Sequence, residues 1–241
     1  MALPKIDLPL YTTEIPTTGK TVSYRPFLVK EEKILLMALE SGEEENIHNA
    51  TLQIIQNCVP EVDIDKLASF DTEWLFLQIR RRSIGEKTTL RFRHKDGMNS
   101  KGVQCKAVMS VEVDLAEVEM LGQIKPPVIQ LTDDIGMKMR YPTIKETIDI
   151  SKEGGGKVER TLHTIAKCID VIFDGDDIFP AKNSSEEELL EFLDNLNSEQ
   201  FQLIQKFISE IPKLHKTVKH KCETCQDVIV HEVEGLSSFF G

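Results

Sequence analysis

The chain has 241 residues, 40% of them hydrophobic and 29% charged, so it is long enough to bury a sizeable core in one large domain or two small ones. Its 40 acidic and 29 basic residues give a formal net charge of -11, which repels phosphate backbones and membrane surfaces and disfavours general nucleic-acid binding. No uninterrupted apolar stretch approaches the roughly 18 to 20 residues that a membrane span needs, so we expect a soluble protein.

The first third of the chain predicts a hairpin followed by helices. Residues 8–27 place Thr and Tyr in an extended pattern around a turn at Gly19, which predicts a β-hairpin or arm. Apolar residues then recur at helical spacing in three segments. We expect these three helices to end at Gly42, before Pro60 and at Gly85.

The middle of the chain changes to a period of two. Leu90 and Phe92 alternate with arginines, a turn follows at Asp96-Gly97, and a return strand is predicted over residues 103–113. A second pair of short strands is predicted over residues 128–131 and 137–141. These patterns indicate antiparallel hairpins.

The last part predicts more helices and a final pair of strands. A short helix over 143–151 and a glycine-rich break at 153–157 precede the strongest helical pattern, over 158–173. Capping boxes at Ser184 or Ser185 and at Asn197 predict the starts of two further helices. Two short strands are expected around Cys222-x-x-Cys225.

Together these elements predict an α+β fold, with helical segments flanking a small antiparallel β region, an N-terminal β arm and a C-terminal β-knuckle. The predicted division is residues 1–28 as the arm, 29–85 as helical, 86–142 as the β region, 143–212 as helical, and 213–241 as the knuckle with an aromatic tail.

The candidate metal ligands are Cys222 and Cys225, with His220 and His231 beside them, because two thiolates two residues apart can hold one zinc ion from a tight turn. A second Cys-x-x-Cys is absent, so a small β-knuckle with two reduced thiols is the alternative. A thioredoxin-like redox pair is a weaker one. The five scattered cysteines fit reduced thiols in a cytoplasm.

Two further segments are candidate partner-binding sites. Arg80, Arg81 and Arg82 form a local basic patch that could meet an acidic partner, with a solvated face as the alternative. Phe239 and Phe240 place two aromatic rings beside the last residue, where they need either the chain's own core or a neighbouring subunit.

No motif predicts an enzyme. The segment 18–21 reads Thr-Gly-Lys-Thr, but Glu14 stands where a phosphate-binding loop needs glycine, so a hairpin turn is expected. A nucleophile elbow is also absent from the chain. We therefore expect a non-enzymatic protein. Zinc at the Cys-x-x-Cys turn is its one candidate cofactor.

Several stretches resemble one family. They are Leu90–Gly97, Met139–Thr143, Ile211–His215, Cys222–Cys225 and Leu236–Phe240. In their order along the chain they resemble the baseplate hub subunit and hub assembly proteins of T-even-like tailed bacteriophages. The resemblance implies a structural or assembly role through contacts with other hub or tail proteins, with self-association left open. It also implies assembly in the cytoplasm of the infected bacterium and a place in the virion baseplate.

Three alternatives stay open beside the resemblance. The first is a tail-assembly chaperone that is absent from the mature virion, and the second is a metal-dependent nucleic-acid-binding module using residues 222–231. The third is an enzyme whose site is assembled from residues scattered along the chain. Related phage proteins often carry glycine soon after the Cys-x-x-Cys turn, whereas this chain has Gln226-Asp227. That departure weakens the expectation of a tight metal-binding turn.

Overall fold

The computed structural model describes residues 7–152 and 156–239 and confirms the α+β fold. The helices of these residues are α1 Val29–Ser41, α2 Glu44–Cys58, α3 Ser69–Ser83, α4 Ile144–Lys152, α5 Lys157–Cys168, α6 Glu186–Asp194 and α7 Ser198–Ser209. The strands are β1 Tyr11–Glu14, β2 Thr21–Tyr24, β3 Lys87–Arg93, β4 Val108–Asp114, β5 Glu119–Leu121, β6 Val128–Gln130, β7 Ile135–Met139, β8 Ile169–Asp174, β9 Asp177–Pro180, β10 Lys213–Lys221 and β11 Val228–Glu234.

These strands form four separate small sheets in which neighbouring strands are antiparallel. Two are simple hairpins, β1-β2 and β3-β4. A three-stranded sheet has the order β11-β10-β5, and a four-stranded sheet has the order β6-β7-β8-β9. In the part of the chain that is described, no helix is long and apolar enough to cross a membrane.

The N-terminal hairpin packs on the first three helices. Val22 and Tyr24 of β2 are buried in one core with Ile54 of α2 and Leu75 of α3. The turn of the hairpin is fixed to α3 as well, because the backbone N–H and the hydroxyl of Thr17 donate to the buried carboxylate of Asp71 at 3.0 and 2.5 Å. The predicted arm is therefore a docked hairpin.

A second core lies between the four-stranded sheet and helices α5, α6 and α7. Met137 of β7, Ile165 of α5 and Ile204 of α7 are fully buried there. Gly136 lies under the ring of its cross-strand partner Phe173. A Cβ on Gly136 would lie 2.4 Å from that ring, so a larger residue would collide with it. Glycine at this position lets the aromatic ring approach the backbone of β7 closely.

The helix predicted over 158–173 is wrong in its last five residues. Helix α5 ends at Cys168, and Ile169 begins β8, which pairs with both β7 and β9. Val171 and Ile172 are β-branched residues that pack well in a sheet, and this tertiary pairing overrides the helical spacing of the apolar residues. Two strands thus lie inside the segment 143–212 that was predicted to be helical.

The two capping boxes are confirmed. The hydroxyl of Ser185 accepts from the Glu188 N–H at the start of α6, and the side chain of Asn197 accepts from the Gln200 N–H at the start of α7. Each reciprocal pair satisfies backbone N–H groups that a helix start leaves without intrahelical partners. The glycine-rich break at 153–157 falls largely outside the described residues.

A third core joins the β3-β4 hairpin and the β10-β11 hairpin to α3. Leu214 and Val218 of β10, Leu115 after β4 and Leu77 of α3 are buried together. The chain then turns after β11 at Gly235, in the left-handed region with φ 71°, and a 3-10 turn over Leu236–Phe239 follows. This core brings the β3-β4 and β10-β11 hairpins together.

Candidate metal centre

The candidate site lies where the tips of the β3-β4 and β10-β11 hairpins meet. His94 follows the last residue of β3, and Cys105 lies in the loop that returns to β4. Cys222 follows the last residue of β10, and Cys225 lies in the turn before β11. Each hairpin therefore contributes two potential ligands from its turn.

The Cys222–Cys225 turn is closed by backbone hydrogen bonds. The Gln226 N–H donates to the Cys222 carbonyl at 2.9 Å, and the Cys222 N–H donates to the Asp227 carbonyl at 2.8 Å. Gln226 has φ 62°, the left-handed conformation that glycine adopts most easily. Gln226 itself adopts the left-handed conformation, so the absence of glycine at this position does not prevent a tight turn.

The loop from His94 to Cys105 is also closed by backbone contacts. The Gly97 N–H donates to the His94 carbonyl at 3.1 Å, and the Cys105 N–H donates to the Gly97 carbonyl at 2.8 Å. Asp96 and Gly97 both have positive φ, as the predicted turn at these residues requires. The loop doubles back on itself, and this brings Cys105 beside His94.

A side-chain clasp holds the two turns together. Asp227 accepts from the backbone N–H of Ser100 at 2.6 Å and from its hydroxyl at 2.7 Å. Both hydrogen bonds hold the pKa of Asp227 below its usual value, and the one from the backbone N–H has the larger effect. The turns are thus connected independently of the thiols.

Four ligand atoms converge between the turns. The Sγ atoms of Cys105 and Cys222 are 3.9 Å apart, and Sγ of Cys225 lies 3.3 Å from Nε2 of His94. All four potential ligand atoms lie within 4.8 Å of one another. His94, Cys105 and Cys222 are buried, and Cys225 is partly buried. Among the described residues, this is the group of His, Cys and carboxylate side chains that could hold a metal ion.

The thiols differ in their acidity. The backbone N–H of Cys225 and the side chain of His94 lower the pKa of Cys222 to about 6. For Cys105, the Ala107 N–H lowers the pKa, but burial and the neighbouring thiols outweigh it and leave that pKa raised. The thiolate is the form that binds a metal, so Cys222 offers a ligand at neutral pH.

The two histidines predicted as ligands lie elsewhere. The rings of His220 and His231 stack on each other at 5.4 Å, and both stack on Phe92. Burial lowers the pKa of each, which favours the neutral rings, and their buried nitrogens at Nδ1 and Nε2 of His220 and Nε2 of His231 have no hydrogen-bond partner among the described residues. The structure therefore brings together Cys222 and Cys225 but replaces these histidines by His94 and Cys105.

Sequence reasoning missed His94 and Cys105 because no local spacing links them to Cys222. Cys105 and Cys222 are 117 residues apart in the chain. The one available signal was that His94 and Cys105 flank the predicted hairpin turn at Asp96-Gly97. Hairpin tips that carry potential ligands could have been matched with each other.

The aromatic end is docked within the chain. The side chain of Phe239 is fully buried in the third core, so it is not exposed for contact with a partner. The backbone N–H of the nearby Leu236 donates to the carboxylate of Glu73 on α3 at 3.2 Å. Phe240, the other aromatic proposed as a contact, lies outside the described residues.

The three arginines contact groups of their own chain. Arg80 is buried and donates to the Gly85 carbonyl at 3.0 Å. Arg81 and Arg82 both contact Glu86, at 3.3 and 3.1 Å, and the guanidinium of Arg82 lies 5.0 Å above the Tyr11 ring. Arg82 is more exposed than Arg81, and partner binding by these arginines stays a prediction.

A family model described as T4 bacteriophage base plate protein matches residues 8–241. No curated protein and no solved structure matches the chain.

Proposed function

Because this chain belongs to the T4 bacteriophage base plate protein family, we propose that it is a component of the baseplate hub, or an assembly factor of that hub, and that it acts through protein-protein contacts. The observation that carries the proposal is the family match over residues 8–241, which spans all the described elements. Family membership implies a structural part of the phage tail baseplate and contact with other phage proteins.

The hub assignment rests on the short stretches that resemble hub proteins. Two of them, Leu90–Gly97 and Cys222–Cys225, contribute the strand, turns and thiols of the candidate metal centre. The family is one of structural proteins, so we infer a structural role and not a catalytic one. We place assembly in the cytoplasm of the infected bacterium, before the particle is complete.

An exposed apolar face on α1 supports a role in contact with another protein. Val29 is 80% exposed, Leu36 53% and Met37 60%. Val29 and Leu36 are seven residues apart and lie on the same side of the helix. Large side chains of this kind gain free energy when a partner removes them from water. We propose that another baseplate protein covers this face.

Purification of the tagged chain from infected cells tests the proposal. We expect it to co-purify with other baseplate or tail proteins, identified by mass spectrometry. The double variant L36E/M37E should lose most of the co-purifying baseplate and tail proteins. It should keep the wild-type Tm, because both side chains are exposed to solvent.

The substitution K145E is the matched control. Lys145 lies at an exposed position on a different helix, α4, and the change also makes the net charge more negative by two. We expect K145E to co-purify like the wild type. A monodisperse monomer that retains no baseplate or tail protein would contradict the proposal, and equal losses in K145E would remove α1 as the contact.

A further inference from the structure

We propose that His94, Cys105, Cys222 and Cys225 bind one zinc ion, through Nε2 of His94 and the three Sγ atoms. The site would cross-link the tips of two hairpins that are far apart in the chain. The inference rests on the geometry of these four residues and does not depend on the baseplate role.

The spacing of the ligand atoms fits a tetrahedral zinc ion. Zn–S bonds of about 2.3 Å place two sulfurs about 3.8 Å apart in such a site. The Cys105 and Cys222 sulfurs are 3.9 Å apart. A thiolate and an imidazole nitrogen on the same ion lie about 3.5 Å apart by the same construction, and the distance from Cys225 to His94 is 3.3 Å.

The type of ligand selects the metal. Three thiolates and one imidazole are soft to intermediate donors, which suit zinc and do not suit the oxygen-seeking ions magnesium and calcium. Four protein ligands fill a tetrahedral shell and leave no open position for water or substrate. A closed set of this kind is typical of structural zinc sites.

The surroundings explain why a metal would be useful here. The apolar cluster around the site is small: beside the buried thiols, its one further buried member is Met109, and Ala107 and Ile229 pack on it in part. Such a cluster provides little hydrophobic stabilisation for two loops. One ion bound by both turns, together with the Ser100–Asp227 clasp, would fix their relative position.

A disulfide is the competing chemistry for these thiols. The two closest sulfurs, of Cys105 and Cys222, are 3.9 Å apart, whereas a disulfide bond is about 2.05 Å long. All five cysteines are free thiols in the structure. The metal and disulfide alternatives predict different results for zinc content and for thiol oxidation.

Zinc content of the purified full chain is the first test. We expect about one zinc per chain by elemental analysis under reducing conditions. C105A and H94A should each lose most of the zinc. The matched controls are C58A, which removes a buried thiol from another core, and H220A and H231A, which remove the histidines nearest in sequence to the Cys-x-x-Cys turn. We expect all three controls to retain the metal.

Replacement of zinc by cobalt(II) in the wild-type chain provides a readout that needs no variant. A tetrahedral site with thiolates predicts intense visible absorption together with a thiolate-to-metal charge-transfer band. The inference is overturned by less than about 0.2 zinc per chain, by a disulfide among these cysteines in freshly purified protein, or by a weak octahedral cobalt spectrum. Zinc that survives in C105A and H94A but is lost from H220A and H231A would overturn this ligand set.

Discussion

Replacing Phe239 by alanine is expected to lower the free energy of unfolding by about 3–5 kcal/mol, although this residue is the third from the end of the sequence. The ring is fully buried and shares the third core with Leu77, Leu115 and Leu214. Its removal takes a large apolar side chain out of that core and leaves a cavity that the neighbouring strands fill only in part. Urea denaturation of the two proteins measures the difference.

The control for this variant is L203A, which truncates an apolar side chain on α7 that is 48% exposed. We expect a change of about 0.5 kcal/mol or less for L203A. If F239A unfolded at the wild-type urea concentration but failed to assemble with baseplate proteins, the aromatic end would be an anchor for a partner and the docking described here would be wrong.

Replacing Arg25 by alanine is expected to cost about 3–5 kcal/mol, because it leaves a fully buried carboxylate without its main partner. Glu31 is 0% exposed and accepts from Arg25 at 3.0 and 3.5 Å and from the Leu28 N–H at 2.7 Å. Burial acts to raise the pKa of Glu31, but these hydrogen bonds outweigh it and leave the pKa below its usual value. The pair therefore stabilises the fold above the ordinary carboxyl pKa and loses that effect as the pH falls through the lowered one.

The matched control is K87A, which breaks a salt bridge to Glu112 in which both side chains are more than 60% exposed. We expect K87A to unfold at nearly the same urea concentration as the wild type, because water screens an exposed ion pair. In R25A, part of the lost stability should return on acidification, because protonation removes the buried negative charge. Urea denaturation at pH 7 and at pH 5 measures both effects. Equal, small losses for R25A and K87A would show that burial of Glu31 is not costly.

Local signals in the sequence predicted much of the fold. The starts of α6 and α7 follow from capping boxes at Ser185 and Asn197, in which side chain and backbone contacts span only three residues. The turn at Asp96-Gly97 and the strands beside it follow from positive-φ turn residues and alternation. The end of α5 could not be predicted, because Ile169 leaves the helix to pair with β7 and β9, which is a non-local effect.

Only two of the four potential ligands in the candidate site, Cys222 and Cys225, were predicted from the sequence. The Cys222-x-x-Cys225 turn is a local motif, and its two thiols do lie together with other potential ligands. His220 and His231 were the natural choice because they are near in sequence, but strand pairing places both rings against Phe92. Cys105 reaches the site only through the packing of two hairpins, which neither hairpin's sequence reveals.

The packing of the aromatic end was also not predictable from local sequence. An aromatic pair near a terminus fits either the chain's own core or a partner's surface, and composition does not separate these outcomes. Phe239 is fully buried in one core with Leu214 of β10 and Val233 of β11, which assigns it to the chain's own core. The side chain of Phe239 is therefore not exposed to a partner, and we propose the exposed apolar side chains of α1 as a contact surface.

Quantitative mass spectrometry of purified mature particles, beside the lysate of the infected cells, tests the baseplate role most directly. We predict peptides of this chain in intact particles and in isolated baseplates, at a constant ratio to other baseplate proteins. Peptides that are abundant in the lysate and absent from every particle and isolated baseplate would contradict a structural component and would favour the assembly chaperone.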